Sequence, residues 1–156
     1  MKDETREAIA SVLKVRTDRA AAAGAKALIE ASDRETFRAK AAELFENTIR
    51  PALREIIEAI PPTVARVKPF EQDLKKPNAV DMTMGFELEF VDQVSGSVKP
   101  RLTFRAQIQE YRFVVVWHHE CDGAWKNTEK NSLLPEQVTR SSVEDDAVAF
   151  LASVSK

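Results

Sequence analysis

His118, His119, Glu120 and Cys121 stand consecutively, and all four side chains are types that ligate metals or act as a nucleophile and its base. Strand geometry separates them. Neighbours on an extended chain point to opposite faces, so His119 and Cys121 share one side while His118 and Glu120 share the other. The chain has only two histidines and one cysteine, so a zinc site would need carboxylates from elsewhere to complete it. No metal is expected. Activation of Cys121 by His119 requires hydrogen-bond reach and a third, orienting group. Side chains two apart on a strand stand roughly parallel, and no catalytic signature surrounds the cysteine. There is no G-x-S-x-G, and Gly24, Gly85, Gly96 and Gly123 are spaced too widely to cradle a phosphate. No cofactor follows from this inventory, and catalysis is the minority reading.

A larger set of polar groups lies on neighbouring segments. Met82, Met84, Phe86, Leu88 and Phe90 alternate with Asp81, Thr83, Gly85, Glu87 and Glu89, the pattern of a strand with one buried face. Leu102, Phe104, Ala106 and Ile108 repeat it, as do Phe113, Val115 and Trp117. A three-residue loop at Ser95, Gly96 and Ser97 pairs Val94 with Val98, Phe90 with Leu102, Leu88 with Phe104 and Phe86 with Ala106. A four-residue loop from Gln109 to Arg112 pairs Ile108 with Phe113, Ala106 with Val115 and Phe104 with Trp117. The rival is one long strand with a bulge near Glu110. This register lines up the polar face too: Glu87 falls opposite Arg105 and Val116, Glu89 beside Thr103 and His118, and Val91 beside Arg101 and Glu120. Such a face suits a partner or an anionic ligand, with Arg101 and Arg105 as the forks and His118 as the proton carrier. The plainer reading is a solvated face whose cross-strand ion pairs contribute at most ~1 kcal/mol each.

The elements that hold these strands are legible on either side. Residues 3 to 31 are rich in Ala, Glu, Lys and Arg and free of proline, which favours helix. Their apolar bulk is thin: Ile9, Val12, Leu13 and Val15 are followed by Ala20 to Ala23 and Gly24 before Leu28. A Ser32, Glu35 capping box predicts a second helix over 32–60. Its stripe runs from Phe37 through Leu44, Phe45, Ile49, Leu53 and Ile57 to Ile60. Pro51 inside that stripe predicts a kink at the Asn47 carbonyl. Pro61, Pro62, Pro69 and Pro77 mark 61–78 as a connection. The sheet then occupies 79–127, with Asp122 and Gly123 as a hairpin turn into a short fourth strand at Trp125 and Lys126. Ser142 with Asp145 opens a C-terminal helix over 142–155.

The expected fold is therefore α+β in one domain: two N-terminal helices, an antiparallel meander of three to four strands, and a C-terminal helix. A chain of 156 residues with 44% hydrophobic and 31% charged residues can bury a core. Its net charge of −2 supplies no general attraction for nucleic acid or anionic membranes. Phe86, Phe90, Phe104, Phe113 and Trp117 share the apolar face, which marks them as core rather than base-stacking platforms. A lone cysteine, no export signal at the N-terminus and no membrane-length apolar run indicate a soluble, cytoplasmic protein. The weakly apolar first helix and the open sheet edges predict a homodimer. The leading expectation is a non-enzymatic interaction or assembly module. The alternative is a small-ligand protein with a pocket between helix 32–60 and the sheet, lined by Met82, Met84, Phe104 and Trp117. A catalytic form of that pocket would recruit His119 or Cys121 at its rim.

Overall fold

The structure, a computed structural model, describes residues 2–93 and 98–155. They divide into two compact units, the first ending at Thr36 and the second beginning at Phe37. The fold is α+β, with helix α1 (Asp3–Leu44), helix α2 (Arg50–Ala59), five strands and helix α3 (Arg140–Val154). The strands are β1 (Ala65–Gln72), β2 (Asp81–Phe90), β3 (Arg101–Gln107), β4 (Arg112–Cys121) and β5 (Ala124–Leu133), antiparallel in the order β1-β2-β3-β4-β5.

The first unit is helix alone. The expected break at Ser32 is absent: α1 runs through it, and the Thr36 hydroxyl donates to the Ser32 carbonyl, a contact of helix interior rather than of a cap. Extending a helix adds one hydrogen bond per residue ordered, whereas starting a new one orders a whole turn for its first bond. With no proline to interrupt it, the Ala-rich segment simply continues. Pro51 acts as anticipated on the local backbone. The five residues before Arg50, Phe45–Ile49, widen into a π turn, and α2 then starts with proline in its first turn.

In the second unit, Phe37, Ala41, Leu44, Phe45, Ile49 and Leu53 are buried against one face of the sheet, together with Val143, Ala147 and Phe150 of α3. The Phe45 and Phe113 rings lie 5.5 Å apart, and Phe150 sits 5.9 Å from Phe86 and 5.6 Å from Trp117. Helix α3 begins two residues earlier than expected. Thr139 caps it, accepting from Ser142 N at 3.1 Å while Ser142 Oγ accepts from Thr139 N at 2.9 Å. Ser142 is thus the return half of the box rather than its start.

The sheet has five strands where three or four were expected. The extra one, β1, lies inside the proline-containing connection. Pro69 is tolerated because β1 is an edge strand, where an absent N–H interrupts no ladder on the open side. The fourth expected strand, now β5, reaches Leu133. The Asp122, Gly123 turn that opens it has both residues at positive φ, 53° and 78°, the twist that a two-residue hairpin requires.

Face assignments hold but registers shift. Phe86 pairs with Leu102 and Met84 with Phe104, four residues away from the expected alignment. The pairing continues one step beyond β3, where Leu88 N donates to Pro100 O at 2.8 Å, and on the other edge of β2 Val91 N donates to Val64 O at 3.0 Å. The Ser95–Gly96–Ser97 loop and the Val94 pairing lie outside the described residues. In the next hairpin Ala106 pairs with Phe113 and Leu102 with Trp117, a shift of two, because the loop starts one residue sooner. Ile108–Glu110 form a 3-10 turn that ends on Tyr111 in the left-handed region, in place of a bulge near Glu110. The bulge lies elsewhere, between Val115 and Val116 against β5. Both outer strands resist further strand addition, β1 through Pro69 and Lys68 and β5 through that bulge and Lys126 and Lys130.

Gly85 faces away from the helices, and a Cβ there would press into the Leu102 carbonyl and the Thr103 backbone. Phe70, its partner on β1, occupies the same face. The nearest atoms are all backbone of β3, so no flexible side chain can yield. Gly85→Ala should destabilise the fold by about 2 kcal/mol or more, measured as a lowered urea midpoint with unchanged slope. A change under about 0.5 kcal/mol, the size of an ordinary surface substitution, would show that the strands separate readily.

Candidate functional site

The face opposite the helices carries the polar rows, in altered pairings. One row crosses all five strands: Lys68 pairs with Glu87, Glu87 with Arg101, Arg101 with His118 and His118 with Asn127. Arg101 Nη2 donates to Glu87 Oε2 at 2.7 Å, and its guanidinium lies 4.3 Å from the centre of the Phe70 ring. The arginine expected as a free fork is therefore held between a carboxylate and an aromatic face. Glu89 is paired with Lys99 at 3.3 Å. His118 Nδ1 is 2.6 Å from Asn127 Oδ1. A carbonyl oxygen only accepts, so the hydrogen of this contact lies on Nδ1. Trp125 lies 5.4 Å from the His118 ring. Glu120 is exposed and pairs across the strands with Trp125.

Arg105 is placed differently from Arg101. It pairs with Thr83 and Val114 rather than with Glu87, and among the described residues it forms no ion pair. It borders a separate cleft beside the β1–β2 turn. Thus the structure brings Glu87, Arg101 and His118 into one row, and sets Arg105 apart from them.

The residues of the alternative pocket lie on the helix-covered face. Met82, Phe104 and Trp117 are buried in the core, and Met84 alone lines a cleft, of about 310 Å³, between α2 and β1. Leu53, Ile57 and Phe70 line it as well, and Arg50 at its rim is bound to both Glu46 and Glu71. His119 is buried, its Nε2 3.3 Å from Thr128 Oγ1 and its ring edge-on to Trp117. Burial pushes its pKa down, and the nearby Lys130 charge acts in the same direction. Cys121 Sγ donates to Asp122 Oδ2 at 3.8 Å, so the side-chain partner of the thiol among the described residues is a carboxylate and not the His119 ring. Among the described residues no group of three His, Cys, Asp or Glu side chains is arranged to hold a metal.

Two polar atoms at this end of the sheet are buried without partners among the described residues, Trp117 Nε1 and Asp146 Oδ2. Asp146 lies on α3 against β5, and Asn131 Nδ2 donates to its other oxygen at 3.5 Å. Burial raises its pKa more than that hydrogen bond lowers it. Sequence reading missed Asp146, Phe70 and Asn127 for one reason: each acquires its role from a pairing made by β1, β5 or α3. Gly85 was a signal of a different contact, the close approach of the β3 backbone at Leu102 and Thr103. No protein-family model matches the chain, and no curated protein or solved structure is similar to it.

The sign of the Asp146 effect is fixed by its raised pKa. The folded protein holds the Asp146 proton more tightly than the unfolded chain, so stability falls as pH rises through the raised value. Asp146→Asn keeps an acceptor for Asn131 and removes the charge. Its melting temperature should exceed that of the parent at pH 7, and the gap should close as pH falls below the ordinary carboxylate range. A gap independent of pH would remove Asp146 ionisation as its cause.

Proposed function

We propose that the protein is a non-enzymatic assembly module in which residues 3–36 of α1 pair with the same segment of a second copy. The observation that carries this reading is the exposure of six large apolar side chains on that segment, from 46% at Ile9 to 75% at Leu28, with Val12, Leu13, Val15 and Ile29 between. Ile9, Val12 and Leu13 lie together in one shallow apolar patch; a large apolar side chain gains ~1.5–3 kcal/mol on full burial, and exposed apolar patches mark interfaces.

A second copy is favoured over other occupants by where the charges fall. Ile9, Leu13, Arg16, Ala20, Ala23, Ala27 and Glu30 recur at alternating spacings of four and three, a seam that two helices can share. Parallel pairing sets Arg16 against Arg16 and Glu30 against Glu30. Antiparallel pairing, with Ala20 against Ala23, lays the Arg16 stem over Ala27 and brings its head within one turn of Glu30. The alanines at the centre allow close approach of the two backbones. Arg19 and Lys26 meet at the rim, where salt screens their repulsion. Positive geometry supports the non-catalytic half of the reading: His118 and His119 are each committed to a β5 side chain, Asn127 and Thr128.

Sedimentation equilibrium at micromolar concentration should return twice the chain mass. Leu13→Glu should return one chain mass while the far-UV spectrum stays that of a folded sheet protein. Arg16→Glu should weaken the dimer at least about tenfold, the equivalent of ~1.4 kcal/mol, and adding Glu30→Arg should restore it. A parent protein that sediments as one chain would overturn the proposal, and failure of Glu30→Arg to restore would overturn the antiparallel arrangement.

A further inference from the structure

The turn between β1 and β2 is held firmly enough to form a site. Asp73 takes a left-handed conformation with φ of 61°. Lys76 N donates to Asp73 O at 3.3 Å and Ala79 N to Lys76 O at 3.2 Å, which makes two successive turns. Arg38 Nη2 then donates to Ala79 O at 3.1 Å, and Ile108 N to Val80 O at 3.0 Å. Neither anchor lies in the turn itself. Beside it is a cleft of about 340 Å³ bordered by Gln72, Asp73, Lys76, Asp81, Thr83 and Arg105, within the size range of small-ligand sites.

Its polar groups are unspent. Thr83 is only 4% exposed and lines the cleft, yet its hydroxyl makes no hydrogen bond among the described residues. Its oxygen keeps contact with solvent, so it is open to hydrogen-bond a polar group bound in the cleft. Arg105 stands directly across from Thr83 on β3. It forms no ion pair among the described residues, and neither do Lys76, Asp73 or Asp81. The lining thus holds two cations and two carboxylates that do not neutralise each other.

That balance selects the ligand. An anion alone would leave Asp73 and Asp81 facing like charge, and a cation alone would leave Arg105 and Lys76 so. A small zwitterion answers both sets at once. We propose that this cleft binds a free α-amino acid, its carboxylate on the Arg105 fork and the Thr83 hydroxyl and its ammonium group toward Asp81. Guanidinium geometry matches a carboxylate through two parallel hydrogen bonds. Asp81 lies two residues from Thr83 on the same face of β2, roughly 6.5–7 Å along the strand, which leaves room between them for a small molecule that carries both charges. The site is independent of the pairing of residues 3–36 and stands whether or not the protein dimerises.

The test is a ¹H–¹⁵N NMR titration of the full chain with each of the common amino acids, with acetate and methylammonium as single-charge controls. At least one amino acid should produce saturable shifts at the amides of Asp81, Thr83 and Arg105, and neither control should reproduce them. Arg105→Gln and Asp81→Asn, each checked for an otherwise unchanged spectrum, should weaken binding about tenfold or more. If one variant fails to fold, the other decides. The proposal is overturned by the absence of saturable shifts up to about 10 mM, ten times a millimolar Kd. It is equally overturned by acetate or methylammonium binding as well as the amino acids, or by a folded variant that retains the parent affinity.

Discussion

Phe45 and Phe150 come from opposite ends of the second unit and land on adjacent columns of the sheet, Phe45 against Phe113 and Phe150 between Phe86 and Trp117. Because both must bury against the same face, every strand has to present its apolar alternation on that side. A slip of one residue in any strand would turn its aromatics to water and its carboxylates into the core. A slip of two or four would not. That is why the face of each residue is strictly determined while the exact partner of each strand is left to its loops.

The polar face follows from the same constraint. With one side committed to the core, Glu87, Arg101, Arg105 and His118 are forced to the other, where cross-strand neighbours determine their chemistry. Glu87 and Phe70 together absorb Arg101, whereas Arg105, four residues along the same strand, has Thr83 and Val114 beside it and forms no ion pair among the described residues. Two arginines of the same type and face thus have different surroundings, one held by a carboxylate and a ring and the other bordering a cleft.

Residues 3–36 follow different physics. Their helix depends on propensity and continuity, and their apolar side chains are exposed to solvent in a single chain. Sheet and helix therefore divide the protein into a part stabilised by its own core and a part whose large apolar side chains are exposed.

Period-two alternation from Met82 to Trp117 was enough to determine α+β class, the faces of three strands and the hairpin turn at Asp122 and Gly123, because burial of one face is a local property of the pattern. Spacing of four and three likewise determined the stripe from Phe37 to Ile60, and Pro51 its interruption. What sequence left undecided were matters of partnership. Edge strand β1 is hidden among prolines, and only its pairing with β2 makes it a strand. The register of β3 and β4 depended on the turn at Ile108–Glu110, whose effect is felt across the sheet rather than along the chain. Arg101 and Arg105 look alike in sequence, and only the tertiary register, by placing Glu87 opposite one and Thr83 opposite the other, separated their roles.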